Sequence, residues 1–238
     1  MSPGAKDALA ERYRALVQRL RTAEDNFGKA PGSVQLVAVS KTYPAEDVRA
    51  VAELGQQHFG ENQLQDAMQK IPNLEDLGLT WHFIGPVQSN KCRDVALYFD
   101  WVHSVDRLKI ANRLSQLRPA DTPPINLLIQ VNLQNESTKA GVAPEAVSEL
   151  AKTISALPNT TLRGLMAIPS PETDLDRQRQ VFRILKELLD DTNRALDLEM
   201  DCLSMGMTDD MEAAVAEGAT HVRIGTAIFG ARQKPLVT

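Results

Sequence analysis

Small hydrogen-bonding residues follow two apolar stretches near the carboxyl end of the chain. Ser204 and Gly206 end the first stretch, and Gly225 and Thr226 follow the second. Glycine lets backbone N–H groups approach a ligand closely, and hydroxyl groups donate hydrogen bonds, which together form the donor set that a phosphate needs. A helix that begins at such a point adds a favourable potential. The pattern predicts a site for a small phosphorylated molecule.

Two basic residues indicate what that molecule could be. Arg223 lies inside the second apolar stretch, and a buried guanidinium needs a partner or a ligand because it cannot lose its charge. Lys41 ends another apolar stretch, LVAVSK. Beside a cation and apolar surroundings its pKa would fall, and a neutral amine forms a Schiff base with an aldehyde. An aldehyde that carries a phosphate is pyridoxal 5′-phosphate (PLP), whose ring nitrogen Arg223 would face. Taken singly, Lys41 has an alternative as a solvated strand end, and Arg223 as half of a structural ion pair.

Eight apolar stretches alternate with helical patterns, and these elements would position the candidate residues. Several of the stretches are continuous apolar runs, which indicates strands buried on both faces. The predicted strands are Gln35–Val39, His58–Gly60, Thr80–Ile84, Trp101–Ser104, Asn126–Asn132, Thr161–Met166, Met200–Ser204 and His221–Ile224. The predicted helices include Ala5–Phe27, Ala45–Leu54, Asp106–Leu117, Pro144–Ala156, Asp174–Asp190 and Asp209–Glu217.

Eight strand–helix units in 238 residues predict a single (β/α)8 barrel, a fold of roughly 250 residues. We expect one domain over 1–238, with an extra leading helix in 1–30 and the barrel in 34–230. A doubly wound open sheet also alternates strands and helices, but it usually has a glycine-rich turn after its first strand, which this sequence lacks. Because the first and last strands of a closed barrel are neighbours, Lys41 and the Gly225-Thr226 turn would lie on one rim.

Composition narrows the class of protein further. The net charge is −5 and no basic run is present, which argues against nucleic acid as a partner. No apolar run approaches about 18 residues, and the charged amino terminus lacks the apolar core of a signal peptide, so we expect a cytoplasmic protein without a membrane span. Cys92 and Cys202 have neither zinc-ligand nor disulfide-framework spacing.

Long motifs run through nearly the whole chain: LVAVSKTYP, FGENQLQD, WHFIGPVQSNK, QVNLQNESTKAG, GLMAIPSP and LSMGMTDDMEAAVAEGATHVRIGTAIFGAR. Together they resemble the pyridoxal phosphate homeostasis protein family, single-domain relatives of the fold-type III alanine racemase barrel. The departures are conservative, with Val87 and Thr208 where the family pattern leads us to expect Leu and Ser.

The resemblance implies the roles of the candidate residues. Lys41 would carry PLP as an internal aldimine, and Arg223 would contact the pyridine nitrogen. Ser204 and the Gly225-Thr226 turn would bind the phosphate. The implied function is intracellular PLP, vitamin B6 and amino-acid homeostasis, with PLP-dependent apo-enzymes as candidate recipients of the cofactor.

Efficient catalysis is not expected. Racemisation needs two bases on opposite faces of the substrate, and in racemase relatives the second is a tyrosine from a further, β-rich domain. This chain ends soon after its eighth predicted strand, so we also expect a monomer. Tyr43 is the tyrosine nearest to Lys41 in sequence. A small PLP-dependent racemase or lyase with Lys41 as its base stays open, as does a Schiff-base aldolase barrel without a cofactor.

Further residues of the rim and the barrel interior have predicted places. Asn62 of FGENQLQD is expected close to the cofactor. His82 either lines the pocket or forms a hydrogen bond inside the barrel. Gln88, Lys91 and Lys139 are rim contacts or solvated surface. The remaining histidines are dispersed in the sequence and have no predicted role: His58, His103 and His221.

Overall fold

The computed structural model describes residues 2–134, 136 and 139–230, and its centre is a closed barrel of eight parallel strands in sequence order. The strands are β1 (Gln35–Val39), β2 (His58–Glu61), β3 (Thr80–Phe83), β4 (Trp101–Val105), β5 (Ile125–Val131), β6 (Thr160–Ala167), β7 (Cys202–Ser204) and β8 (His221–Ile224). The ring closes where β8 pairs with β1, with Val37 opposite Arg223 and Ala38 opposite Ile224. The predicted (β/α)8 barrel is confirmed, and the open-sheet alternative is wrong. Of the predicted 1–238 domain, residues 1, 135, 137–138 and 231–238 lie outside the described residues.

Helices cover the outside of the barrel. They are α1 (Pro3–Asn26), α2 (Ala45–Ala52), α3 (Leu64–Lys70), α4 (Cys92–Tyr98), α5 (Leu108–Leu117), α6 (Val147–Ser155), α7 (Leu175–Leu196), α8 (Met211–Ala216) and α9 (Thr226–Phe229). Within the described residues, no helix has the length and apolar character needed to cross a membrane.

The leading helix α1 completes the wall of the barrel at the seam between β8 and β1. The helix that follows β8, α9, has only 4 residues, and α1 packs against α2, α8 and α9. Leu9, Leu16 and Leu20 on one face of α1 are buried. Arg12 donates a hydrogen bond to the carbonyl oxygen of Ile228 at 2.9 Å, which fixes α1 to the end of α9.

The observed boundaries of β1 and β8 match the predicted ones, whereas several other elements differ. The helix predicted over Pro144–Ala156 begins as a 3-10 turn over Pro144–Ala146 and becomes α-helical only at Val147. The helix predicted to end at Asp190 continues to Leu196, where Asp197 in the left-handed conformation (φ 53°) ends it. The prediction had no counterpart for α3 and α9, because helices of 7 and 4 residues are too short to show a helical period.

The barrel interior is more polar than the layer between strands and helices. Trp101, Leu128, Met166 and Cys202 form a small apolar cluster separate from the main core. Histidines share this interior, since the ring centroid of His82 lies 5.5 Å from Trp101, 5.0 Å from His103 and 6.0 Å from His221. Polar side chains in so enclosed a space need partners, and those partners lead to the site described next.

Candidate functional site

Lys41 lies in a turn directly after β1. The N–H of Ser40 donates to the carbonyl oxygen of Gly60 at 3.0 Å, and the N–H of Tyr43 closes the turn onto the Ser40 carbonyl at 3.0 Å. Thr42 has a φ of 70°, in the left-handed region. That conformation is unusual for a β-branched residue and costs roughly 1–3 kcal/mol. Lys41 is half-buried in this turn, and the surrounding hydrogen bonds hold the turn in its strained conformation.

A buried ion pair lies against the backbone next to Lys41. Lys70 Nζ donates to Glu61 Oε1 at 2.6 Å and to the Ser40 carbonyl at 2.8 Å. The Ser40 hydroxyl donates to the same Glu61 oxygen at 2.6 Å. The second oxygen, Glu61 Oε2, is buried without a hydrogen-bond partner in the described structure. Burial raises the pKa of Glu61, and Lys70 opposes that shift. This pair was not predicted from the sequence, because Glu61 and Lys70 show no periodic spacing.

Arg223 is a buried cation on β8, with 5% of its surface exposed. Its Nη1 donates to Ser204 Oγ at 2.6 Å, and its Nη2 donates to the Ala167 carbonyl at 3.0 Å. None of the ion pairs between described residues includes Arg223. Burial lowers the pKa of Arg223 to about 10, which still leaves the guanidinium charged at neutral pH. Asp210 acts on this guanidinium electrostatically but forms no ion pair with it. A buried cation without a direct carboxylate contact favours an anionic or electron-rich ligand.

The turn after β8 contacts the end of β1. A Cβ atom on Gly225 would lie 2.9 Å from the Val39 carbonyl oxygen, so a side chain does not fit there. Thr226 follows as an exposed residue and begins α9, in which Ile228 and Phe229 donate to the Gly225 carbonyl, both at 2.9 Å. Val39 is two residues before Lys41 in the sequence. The structure therefore brings the Lys41 turn and the Gly225-Thr226 turn to the same rim of the barrel.

Ser204 ends β7 and is fully buried. Its Oγ accepts the hydrogen bond from Arg223 and lies 2.8 Å from His103 Nδ1. Two residues later, the carbonyl oxygen of Gly206 accepts from the Arg223 N–H at 2.9 Å. The end of β7 thus lies beside Arg223, as the barrel predicts. A contact between the Ser204 hydroxyl and a phosphate stays a prediction.

Asn62 follows β2 on the same rim. A Cβ atom on Gly85, after β3, would lie 2.1 Å from the Asn62 carbonyl oxygen, which shows how tightly these two strand ends pack. Asn62 lines a pocket of about 300 Å³ together with Gln88 and Lys91. Lys139 is held in an ion pair with Glu136 at 2.8 Å. The closeness of Asn62 to a cofactor stays a prediction.

His82 lies inside the barrel, not in a surface pocket. Its Nε2 is 2.9 Å from His58 Nδ1, and its Nδ1 is 2.9 Å from His103 Nε2. Burial lowers the pKa of both His82 and His103 well below the ordinary value, so both are neutral at neutral pH. No group of histidine, cysteine or acidic side chains in the described ranges could hold a metal ion. No shared role was predicted for His58, His103 and His221. The available signal was that all four histidines fall in predicted strands.

Comparison with known proteins identifies the family. Residues 7–233 match the family profile described as alanine racemase, N-terminal domain. Over 224 residues the chain is 54% identical to the pyridoxal phosphate homeostasis protein of Pseudomonas aeruginosa, covering 94% of this chain and 96% of the relative. The chain belongs to the pyridoxal phosphate homeostasis protein family. The Escherichia coli member is 46% identical over 227 residues, covering 94% of this chain and 97% of its own.

A solved structure of another relative supports the assignment. PipY of Synechococcus elongatus, solved with PLP bound, is similar to this structure with a TM-score of 0.81 at 37% identity. The match covers 93% of this chain and 100% of PipY. The family membership that the sequence motifs predicted is confirmed.

Proposed function

We propose that this chain binds PLP at the rim where β1 and β8 meet, and that it serves PLP and amino-acid homeostasis. Lys41 is the covalent anchor, Arg223 faces the pyridine nitrogen, and the Gly225-Thr226 turn binds the phosphate. The observation that carries the proposal is Arg223, a buried cation with no carboxylate partner among the described residues. The names of the relatives and the PLP bound to PipY support it.

The residues on this rim fit the chemistry of PLP. A guanidinium donates a hydrogen bond to the pyridine nitrogen and does not protonate it, so the ring is a weaker electron sink than one paired with a carboxylate. Gly225 lets the turn pack closely against the end of β1, and Thr226 adds a hydroxyl at the start of α9. PLP supplies an aldehyde that bonds to an amine, and Lys41 is the lysine at the end of β1. Asn62, which follows β2 on the same rim, is proposed to contact the ring.

The tyrosines support a role in holding PLP over efficient catalysis. The ring of Tyr43 stacks on Phe229 with centroids 4.8 Å apart, and its hydroxyl donates to the Gly230 carbonyl at 2.6 Å. Tyr13 lies on α1 and donates to Gln56 at 3.3 Å. A second base opposite Lys41 is therefore not supplied by either side chain. The proposal includes a cytoplasmic monomer that delivers PLP to apo-enzymes, which sedimentation and transfer assays would test.

The absorbance spectrum of purified protein, before and after borohydride reduction, tests the cofactor and its anchor. We expect a yellow protein and a phosphopyridoxyl mass on Lys41 in the wild type. Lys41→Ala should lose that adduct and keep phosphate-dependent binding, whereas the control Lys139→Ala should keep the adduct. A colourless protein that PLP does not reconstitute would refute the proposal, and a wild-type adduct on another lysine would replace Lys41 as the anchor.

Hydrogen exchange at the α-carbon of amino acids in deuterated water separates a carrier from an enzyme. We expect exchange by the PLP-loaded protein no faster than by free PLP, because the hydroxyl groups of Tyr13 and Tyr43 are both engaged in other hydrogen bonds. Rapid exchange that Lys41→Ala abolishes would instead establish a racemase or lyase activity.

A further inference from the structure

A continuous chain of hydrogen bonds crosses the barrel interior and ends at Arg223. His58 Nδ1 is 2.9 Å from His82 Nε2, and His82 Nδ1 is 2.9 Å from His103 Nε2. His103 Nδ1 is 2.8 Å from Ser204 Oγ, which accepts from Arg223 Nη1 at 2.6 Å. We call His58, His82 and His103 the histidine column. His58 is half-buried and lines a pocket of about 230 Å³ between α1 and the barrel, so the column connects that surface with Arg223.

The chemistry of the Arg223 end fixes the direction of every bond in this chain. A guanidinium can only donate, so Ser204 Oγ accepts from Arg223. A serine hydroxyl has one proton, and the acceptor available to it in the described structure is His103 Nδ1. A neutral His103 must then carry its proton on Nε2 and donate to His82 Nδ1.

The directions of the remaining hydrogen bonds, towards His58, follow in the same way. His82 carries its proton on Nε2 and donates to His58 Nδ1. The neutral state of His82 and His103 agrees with their burial, because both rings are completely inaccessible. The column is therefore a set of neutral rings with one tautomer throughout.

We propose that Ser204 and His103 are positioning residues for the Arg223 guanidinium, and that the Ser204 hydroxyl does not bind the phosphate of the ligand. The inference rests on the proposed function and deepens it. A phosphate oxygen only accepts at this position, and the single proton of Ser204 is already donated to His103. Ser204 instead acts through Arg223, whose plane is fixed by Ser204 and the Ala167 carbonyl while its other N–H groups face the ligand.

A merely structural role for these buried polar groups has a matched control in the same interior. The ring centroid of His221 lies 6.0 Å from that of His103 and 5.0 Å from that of Trp101. Its Nδ1 is 2.9 Å from Thr220 Oγ1, so His221 bonds outside the column. Replacing His221 perturbs the packing of the interior but leaves the bonds that end at Arg223.

The affinities for PLP and for pyridoxal, which lacks the phosphate, distinguish the two roles of Ser204. We expect Ser204→Ala and His103→Leu to weaken both ligands by the same factor, about tenfold, as for the loss of one hydrogen bond to a charged group. The double variant should be no weaker than either single variant, because both changes release Arg223. Thr226→Val should weaken PLP alone, and His221→Leu should leave both affinities at the wild-type value.

Specific results would overturn the inference. Loss of PLP affinity in Ser204→Ala with unchanged pyridoxal affinity would make Ser204 a phosphate ligand. Wild-type affinities in His103→Leu would remove the column from the site. If His103→Leu fails to fold, His103→Asn replaces it in the test. The Asn amide oxygen can replace Nδ1 as the acceptor, so both affinities should stay near the wild-type values. An Asn variant that binds as weakly as Ser204→Ala would refute the positioning role.

The direction of the hydrogen bonds is tested without any ligand. Nitrogen-15 NMR of the imidazole rings in the free wild-type protein should show His82 and His103 neutral with the proton on Nε2. A proton on Nδ1 of His103 would overturn the inference directly. If the wild-type protein binds neither PLP nor pyridoxal, the proposed function and the positioning role both fail, while the NMR result still decides the direction of the bonds.

Discussion

Buried neutral histidines should make the unfolding free energy of the ligand-free protein fall just below neutral pH. Burial lowers the pKa of His82 and His103 well below the ordinary value of 6.5, and lowers the pKa of His221 to about 4. In the unfolded chain these rings return to about 6.5. At a pH between the folded-state and unfolded-state pKa values, the unfolded chain binds protons at these rings and the folded protein does not. Stability is therefore complete above pH 6.5 and is lost as the pH falls towards the folded-state values.

The size of the effect follows from the difference in proton binding. At pH 5.5, one pH unit below the unfolded value, each ring favours the unfolded state by about 1.4 kcal/mol. His82, His103 and His221 together remove about 4 kcal/mol, a large part of the 5–15 kcal/mol typical of a domain. Glu61 acts in the opposite direction because its pKa is raised, and over the two pH units from 7.5 to 5.5 a single group can contribute no more than about 2.7 kcal/mol. A net loss of about 1.5–4 kcal/mol is expected.

Urea unfolding of the ligand-free protein at pH 7.5 and pH 5.5 measures this loss. His221→Asn provides the internal control, since its amide oxygen can replace the bond to Thr220 while one titrating group is removed. The variant should lose about 1.4 kcal/mol less than the wild type between the two pH values. A wild-type difference below about 1 kcal/mol, or an equal loss in both proteins, would refute the view that these rings stay neutral in the folded state.

Substitutions elsewhere test the backbone and the buried ion pair by urea unfolding at pH 7.5. Thr42→Asn should stabilise the protein by about 1 kcal/mol, because asparagine tolerates positive φ better than threonine; an unchanged or lower stability would show that the turn is unstrained. Gly164→Ala should lower the free energy of unfolding by more than about 3 kcal/mol, since the new Cβ would lie 1.9 Å from the Cys202 carbonyl oxygen. The control Gly4→Ala, with open space around it, should not destabilise the protein. Similar losses in both variants would contradict the packing around Gly164. Lys70→Met should cost about 3–5 kcal/mol by leaving a buried carboxylate unpaired, and adding Glu61→Leu should restore most of that loss. A double variant no more stable than Lys70→Met would show that the unpaired charge is not the cause.

The barrel could be predicted from the sequence because its strands are continuous apolar runs with polar ends. The boundaries of β1 and β8 were predicted to the residue, since LVAV and HVRI are followed at once by serine or glycine. Closure of eight strands then placed Lys41 beside the Gly225-Thr226 turn without knowledge of any side chain. Short helices such as α3 were missed because 7 residues carry no clear period.

The parts of the site that could not be predicted depend on contacts across the barrel. Lys70 on α3 reaches Glu61 at the end of β2 at 2.6 Å, a distance that depends on how the helix folds back onto the rim. The histidine column joins rings from β2, β3 and β4 to a hydroxyl on β7. Which inward side chains meet in a barrel depends on the stagger of its strands, which the sequence pattern does not reveal. The direction of the hydrogen bonds in the histidine column could be inferred only from the observed contacts together with the fact that Arg223 can only donate.

The use of neutral partners around Arg223 has a consequence for ligand binding. A carboxylate in the place of Ser204 would satisfy the buried guanidinium, and an anionic or electron-rich ligand would then have to compete with it. Ser204 and the Ala167 carbonyl orient the guanidinium through neutral hydrogen-bonding groups, and Asp210 acts on its charge without forming an ion pair. If Arg223 faces the ligand as proposed, the free protein bears the energetic cost of that buried charge and ligand binding would relieve it. Because a ligand that binds only the folded state adds to its stability, the same arrangement ties retention of PLP to the integrity of the barrel.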